Sequence, residues 1–177
     1  MVAVKTTGIV YWFTGLAGAG KTTISRLFYE RLLSAGKKAI FLDGDELRKV
    51  IGNDLGYEIP DRKDSAMRNA RLCKMLSDQG FDVICSTVSL WHECQQWNRE
   101  NISKYKEIYI RVPLVVLAAR DPKKIYARAM EGRLKNVWGV DIPAKEPKHP
   151  DLVLDNDGSR TPEKLAQTVF ETLMPGT

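Results

Sequence analysis

Gly15-Leu16-Ala17-Gly18-Ala19-Gly20-Lys21-Thr22-Thr23 constrains this chain more than any other stretch. It fits G-x-x-x-x-G-K-[ST], the phosphate-cradling P-loop. Its flanks carry the context that the motif requires. Gly8 to Thr14 is rich in β-branched and aromatic residues and reads as a buried strand. Thr22 to Leu33 sets Ile24, Leu27, Phe28 and Leu32 at helical spacing. Glycines let the backbone turn sharply and come close to a ligand. The turned backbone and the helix start then aim N–H groups at one point, an anion site. Gly15, Ala17, Gly18, Ala19, Gly20 and Thr23 are the ATP-binding frame around Lys21 and Thr22. In such a loop the lysine reaches the β- and γ-phosphates and the threonine hydroxyl ligates Mg²⁺. A glycine-rich turn with a chance lysine would not explain why strand, spacing and helix agree.

Strand and helix patterns alternate along the whole chain. Lys38 to Asp43 reads as the second strand, Phe81 to Thr87 as the third, Glu107 to Val112 as the fourth and Asp151 to Asp155 as the fifth. Between them lie helical stretches at Asp45 to Ile51, Asp61 to Ser77, Leu90 to Ile102 and Pro122 to Glu131. Met67, Ala70, Leu72 and Met75 are the apolar positions of the long one. Thr161-Pro162-Glu163 caps a final helix with Leu165, Val169, Phe170 and Leu173 turned inward. Strands apolar on both faces, separated by helices, predict an α/β fold: a parallel sheet covered by helices on both faces. Ligands in such folds lie beyond the carboxyl ends of the strands.

Gly132 to Pro150 breaks the pattern. It mixes Gly, Pro, Lys and Arg and has no clear apolar period. A segment of that length inside a compact domain reads as a functional lid, with Arg133, Lys135, Lys145 and Lys148 available to phosphates. The bland alternative is a disordered surface loop. Phosphoryl transfer must exclude water, which favours the lid.

The chain's 177 residues suit a single domain. No apolar run approaches the roughly 18 residues of a membrane span. The start, Met1 to Thr7, is too short and polar for a signal peptide, so a cytoplasmic location is expected. Cys73, Cys85 and Cys94 have no metal-type spacing and read as free core thiols. The net charge of +5 suits an anionic partner. The charges are scattered, without a basic tail or an RNA-stacking signature, so a small phosphorylated ligand is expected rather than nucleic acid.

A P-loop alone does not specify a kinase. No guanine-reading Asn-Lys-x-Asp is present, and the chain is short for a motor domain. Asp43-Gly44-Asp45, at the end of the second strand, supplies candidate carboxylates. Asp45 is placed to orient an acceptor hydroxyl while Arg48, one turn on, holds a phosphate. Asp43 is a candidate to hold Mg²⁺ through water. Each has a structural alternative: strand termination for Asp43 and helix capping for Asp45. Arg62, Arg68 and Arg71 open the long helix, where helical spacing lets one of them face the site.

With these residues together, the chain resembles the adenylylsulfate kinase family over nearly its whole length. The resemblance rests on Gly15 to Thr23, Phe41-Leu42-Asp43-Gly44-Asp45-Glu46-Leu47-Arg48, Asp54-Leu55-Gly56-Tyr57 and Asp61-Arg62. It continues in Arg120-Asp121-Pro122-Lys123, Tyr126, Ala129, Gly132, Gly139-Val140-Asp141, Pro143, Glu146-Pro147 and Pro150-Asp151-Leu152. It implies a P-loop kinase fold and transfer of the ATP γ-phosphate to a ribose 3′-hydroxyl, with Mg²⁺, in a homodimer. It implies that Asp45 is the hydroxyl-orienting carboxylate, that Arg48 and Arg62 hold the acceptor nucleotide, and that Arg120 belongs with the ATP-binding residues. Ser89 matches a serine sometimes described as a phosphoserine intermediate, a role that direct in-line transfer makes unnecessary. Lys135 falls in the lid beside the acceptor.

The departures from the family pattern cluster on the acceptor side, at Ser65, Met67-Arg68, Val88 to Glu93 and Val137. The family sandwiches the acceptor adenine between two aromatics. Tyr57 matches one, whereas the second position is Val137, with Trp138 beside it. His92 and Glu93 stand where positive charge is usual. The resemblance therefore implies adenylylsulfate as acceptor, with cytidine diphosphoramidate as the alternative: the altered loop looks similar to a branch that phosphorylates that nucleotide in bacterial capsule modification. A non-catalytic nucleotide-binding module and an RNA-binding basic protein are the competing classes. The first predicts ATP binding without transfer, the second steeply salt-dependent RNA affinity.

Overall fold

The computed structural model describes residues 6–174; most of the polar stretch Met1 to Thr7 lies outside them. β1 (Val10–Thr14), β2 (Ala39–Asp43), β3 (Asp82–Ser86), β4 (Tyr105–Arg111) and β5 (Leu152–Asp155) form one sheet in the order β2-β3-β1-β4-β5. Every pairing in it is parallel. All five expected strands are present: four are trimmed by a residue or two, and β4 begins two residues before the expected Glu107 and ends one before Val112.

Alternation along the strands divides the core in two. Tyr11, Phe13 and Ile84 face α1 (Lys21–Ser34) and α7 (Pro162–Leu173), where they meet Ile24, Phe28, Leu32 and Leu165. Val10, Trp12, Val83 and Cys85 face the other way, with Ala66, Ala70 and Cys73 of α3 (Ile59–Ser77) and Cys94 of α4 (His92–Asn101). Because both faces are covered, β1 is buried throughout, as its unbroken apolar run predicts. Cys73, Cys85 and Cys94 are free and buried.

The helices depart further from the expected pattern. The buried stripe of α3 is Ala66, Asn69, Ala70, Cys73 and Ser77. Met75, one of the apolar positions of that helix, is 52% exposed. Small and polar residues carry that face because it lies close against the sheet, so hydrophobicity alone misplaces it. The stretch expected as one helix from Pro122 is shorter: α6 spans Ile125–Met130. Asp121 accepts from the Ile125 and Ala127 N–H groups at 2.7 and 2.9 Å and fixes the helix start after a turn. An unexpected helix, α5 (Leu114–Arg120), precedes it. Leu114-Val115-Val116-Leu117-Ala118-Ala119 is apolar without a period, so only its fold context makes it helical.

The Gly132 to Pro150 segment is not featureless. Val137, Trp138 and Ile142 are buried in the main core. Trp138 bridges to Ile142, and Asp141 accepts from the Asn136 and Val137 N–H groups. Arg133, Lys145 and Lys148 stay exposed on either side of this anchor. The expected lid thus has a buried middle, and its far flank is tied down as well, since Arg99 donates to the His149 carbonyl and Pro147 is buried.

Candidate active site

The carboxyl ends of β1, β2 and β3 converge where α1 and α2 (Gly44–Ile51) begin. The P-loop shape depends on its glycines. Gly15 has φ +149°, and a Cβ there would stand 2.5 Å from the Ile110 carbonyl oxygen. Gly20, at φ +87°, is the residue before α1, and a Cβ would meet the Asn156 amide at 2.7 Å. The loop is held from outside: Asn156 Nδ2 donates to the Ala19 carbonyl at 2.9 Å and Tyr126 Oη to the Ala17 carbonyl at 2.8 Å. Neither holding residue announces its role in the sequence, because each reaches a main-chain atom from far along the chain.

Lys21 is 8% exposed and its ammonium donates to the Leu16 carbonyl at 2.8 Å. Burial lowers its pKa to about 8, against the opposing pull of Asp45. Beside it, Thr22 Oγ1 donates to Asp43 Oδ2 at 2.7 Å. The other Asp43 oxygen accepts from the Asp45 and Glu46 N–H groups and caps α2. Asp43 therefore ends the strand, caps the helix and turns one oxygen to the P-loop threonine at once. A hydroxyl and a carboxylate oxygen converging at that distance, at a phosphate-binding loop, are the hard-oxygen donor set that suits Mg²⁺. Gly44 between the two aspartates is required by close approach: a Cβ would lie 2.9 Å from the Ser86 carbonyl oxygen and 3.1 Å from Thr87 Oγ1.

Asp45 is exposed and ion-paired to Lys123. It is not the α2 cap, since Asp43 holds that position. Arg48 stacks on Tyr57, its guanidinium carbon 4.2 Å from the ring centroid, and donates to the Leu55 and Gly56 carbonyls. Arg62 Nε donates to the Tyr57 carbonyl at 2.8 Å. Partial burial, with Arg48 nearby, lowers the Arg62 pKa. Of the three arginines on α3, Arg62 faces this site. Arg68 is engaged by Asp54 at 2.6 and 2.7 Å, and Arg71 is exposed away from it.

A cavity of about 920 Å³ joins these groups. Its lining brings together Ala17, Gly18, Gly20, Lys21, Thr22, Thr23, Asp43, Asp45, Arg48, Tyr57, Arg62, Ser65, Val88, Val137 and Trp138 from the expected set. It adds Ser86, Thr87, Asp121, Lys123 and Tyr126. Gly15 and Ala19 shape the loop from beneath. Besides these two, three expected residues are outside the lining. Ser89 is fully buried, and its main chain is tied to Thr14: Thr14 Oγ1 donates to the Ser89 carbonyl at 2.9 Å. A covalent role would require that hydroxyl to leave the core. Lys135 is exposed. Arg120 is exposed at the end of α5, its guanidinium beside Gly158. Lys123 was present in the sequence as part of Arg120-Asp121-Pro122-Lys123, but nothing there reveals its pairing with Asp45 across 78 positions.

The acceptor-side departures also have definite places. Trp138 is 5% exposed and packs edge-on to Trp91, ring centroids 4.5 Å apart. Lys63 lies over Trp91 at 5.1 Å and pairs with Glu93 at 3.1 Å. His92 Nε2 hydrogen-bonds the Glu146 carbonyl at 2.9 Å. It thus holds the far flank of the Gly132 to Pro150 segment and is not in the cavity lining.

A parallel sheet with a P-loop, a hydroxyl–carboxylate pair and an acidic side chain across the cleft defines a P-loop phosphotransferase. Comparison with known proteins narrows this. The adenylylsulphate kinase family model matches residues 7–155, and the chain belongs to that family. A cytidine diphosphoramidate kinase of Campylobacter jejuni is 39% identical over 169 residues, covering 96% of this chain and 98% of its own. An adenylyl-sulfate kinase of Halothermothrix orenii is 38% identical over 166 residues, covering 94% and 89%. The Mycobacterium tuberculosis APS kinase, solved with AMPPNP and APS, superposes with a TM-score of 0.88 at 34% identity over 94% of this chain and 98% of that one. The protein is accordingly an ATP-dependent phosphotransferase acting on a hydroxyl acceptor. Among the described residues no helix is long and apolar enough to cross a membrane.

Proposed function

We propose that this kinase transfers the ATP γ-phosphate to the ribose 3′-hydroxyl of a nucleotide whose 5′-phosphate carries a second acidic group, and that the acceptor is cytidine diphosphoramidate. One observation carries the choice of acceptor. Tyr57, 65% exposed, is the open ring of the cavity lining, while Trp138, also in that lining, is 5% exposed and packed against Trp91. A one-sided stack forfeits about 0.5–1.5 kcal/mol beyond buried area. That loss falls harder on a purine, which has the larger face to cover, than on a cytosine. Adenylylsulfate is the second reading, supported by the likeness to the M. tuberculosis enzyme solved with that nucleotide.

The residues divide the work as follows. The P-loop N–H groups and Lys21 hold the triphosphate, with the ammonium moving from the Leu16 carbonyl onto phosphate oxygens. Thr22 and Asp43 would hold Mg²⁺, which supplies charge neutralisation at the phosphates when bound. Arg48 and Arg62 bind the acceptor's 5′ anionic groups, and Tyr57 stacks on its base. Asp45 leaves Lys123 to accept a hydrogen bond from the 3′-hydroxyl. The hydroxyl oxygen then bonds to the γ-phosphorus as the bond to the β-phosphate oxygen breaks. ADP leaves, and the hydroxyl proton passes to Asp45 and on to water. The anchored segment around Val137 to Ile142 closes the cleft against water. We take the enzyme to be a single-domain cytoplasmic homodimer, a state that light scattering reads directly.

The test is a phosphoryl-transfer assay with ATP against a nucleotide panel, with the product located by phosphorus NMR. A new 3′-phosphate on cytidine diphosphoramidate is expected, and none on its 3′-deoxy analogue. Turnover confined to adenylylsulfate selects the second reading. ATP binding without transfer to any nucleotide returns the protein to a binding module.

A further inference from the structure

Ser86 ends β3 and is 3% exposed, yet its hydroxyl has no hydrogen-bond partner. A buried hydroxyl left unpaired costs about 1–3 kcal/mol, so its position needs a reason. The sheet register supplies one. Ser86 pairs with Asp43 of β2 on one side and with Phe13 of β1 on the other. Neighbours in a parallel register project to the same face. Phe13, and Ile84 two residues back, face α1, so the Ser86 side chain lies on the face that α1 covers. Thr22 sits on that same face and donates to Asp43. Ser86 also lines the cavity with Lys21, Thr22 and Asp43. Among the described residues, the one unpaired buried hydroxyl of the cavity lining thus stands beside the carboxylate and threonine that suit a divalent cation.

We propose that Ser86 is a positioning residue for that cation, its hydroxyl holding a water of the ion's hydration shell. Mg²⁺ keeps several of its waters when bound, and those waters need protein partners. In this chain the carboxylate of the set comes from β2, and β3, next to the P-loop strand, contributes a neutral hydroxyl. The inference rests on reading the cleft as a Mg²⁺·ATP site and not on which acceptor the enzyme uses.

The experiment measures Mn²⁺ binding by electron paramagnetic resonance in the presence of saturating AMP-PNP, for the wild type, Ser86→Ala and Ser86→Thr. AMP-PNP affinity in EDTA and the melting temperature of the metal-free protein are measured alongside. Ser86→Ala should weaken Mn²⁺ binding about tenfold, the lower end for an outer-shell partner. Its metal-free nucleotide affinity should stay unchanged, and its melting temperature should hold or rise, since an unpaired hydroxyl is removed. Ser86→Thr should restore most of the Mn²⁺ affinity. Unchanged Mn²⁺ affinity in Ser86→Ala overturns the proposal, as does equal weakening with and without metal. A wild type that does not bind Mn²⁺·AMP-PNP overturns the kinase reading itself, a result distinct from a silent Ser86→Ala.

Discussion

The two halves of the cleft are built differently. On the donor side, backbone and short side chains hold fixed positions. Gly15 and Gly20 admit close neighbours, Asn156 and Tyr126 pin the loop carbonyls, and Thr22 meets Asp43. On the acceptor side, long exposed or half-buried side chains hold local partners: Asp45 with Lys123, Arg48 with Tyr57, and Arg62 with the Tyr57 carbonyl. On the proposed reading, the donor half is preorganised for a triphosphate. The acceptor half must exchange internal contacts for contacts to its nucleotide, so its affinity is a difference between two sets of interactions. The Asp45–Lys123 pair, exposed on both sides, contributes little, about 0–1 kcal/mol, so its exchange is easy.

That contrast predicts where substitutions act. The largest effect belongs to Lys21→Ala, which should lower kcat by about 10³–10⁵-fold, the range for a cation on a transferring phosphoryl group. Asp45→Ala should lower kcat by about 10²–10⁴-fold while nucleotide affinity, read by calorimetry, stays near that of the wild type. A large loss of ATP affinity in Asp45→Ala would erase the division between the halves.

Next comes pH. Lys21 has its pKa lowered to about 8 by burial, and a bound triphosphate favours the charged form. Below pH 8 the free enzyme is already protonated there, and ATP affinity is flat with respect to this group. Above pH 8 binding must take up a proton, and affinity should fall by about tenfold per pH unit until the pKa in the complex is reached. Calorimetry in buffers of different ionisation enthalpy checks this as proton uptake on the alkaline side. Proton release there would contradict it.

Smaller effects should appear in the KM of the acceptor alone. Tyr57→Ala should raise it by about two- to tenfold, the worth of one stacked ring, with the KM for ATP unchanged. His92→Ala removes one hydrogen bond to the lid flank and should raise the acceptor KM by about two- to fivefold. Protease sensitivity near Glu146 should increase with it.

The donor half was legible in the sequence because its chemistry is local. Motif, strand and helix are contiguous, and Asp43-Gly44-Asp45 directly follows a strand. All five strands were legible for a related reason, since burial on both faces leaves unbroken apolar runs. What escaped depends on distant partners. Asn156 and Tyr126 act on carbonyls of the P-loop from the other end of the chain. Lys123 finds Asp45 only through the fold. The α3 face is written in Ala, Asn, Cys and Ser, which carry no hydrophobic period. The lid segment looked structureless because its buried residues, Val137, Trp138 and Ile142, follow a turn rather than a helix or strand. The covalent role sometimes given to a serine at the position of Ser89 finds no support in a side chain closed inside the core.

The central claim is that the acceptor half has one exposed ring, Tyr57, where two would hold a purine. A one-pot competition tests it: equal concentrations of cytidine diphosphoramidate and adenylylsulfate, limiting ATP, and products separated by mass spectrometry. The ratio of products reads the ratio of kcat/KM directly. An excess of 3′-phosphorylated cytidine product is predicted; an excess of the adenosine product would contradict it.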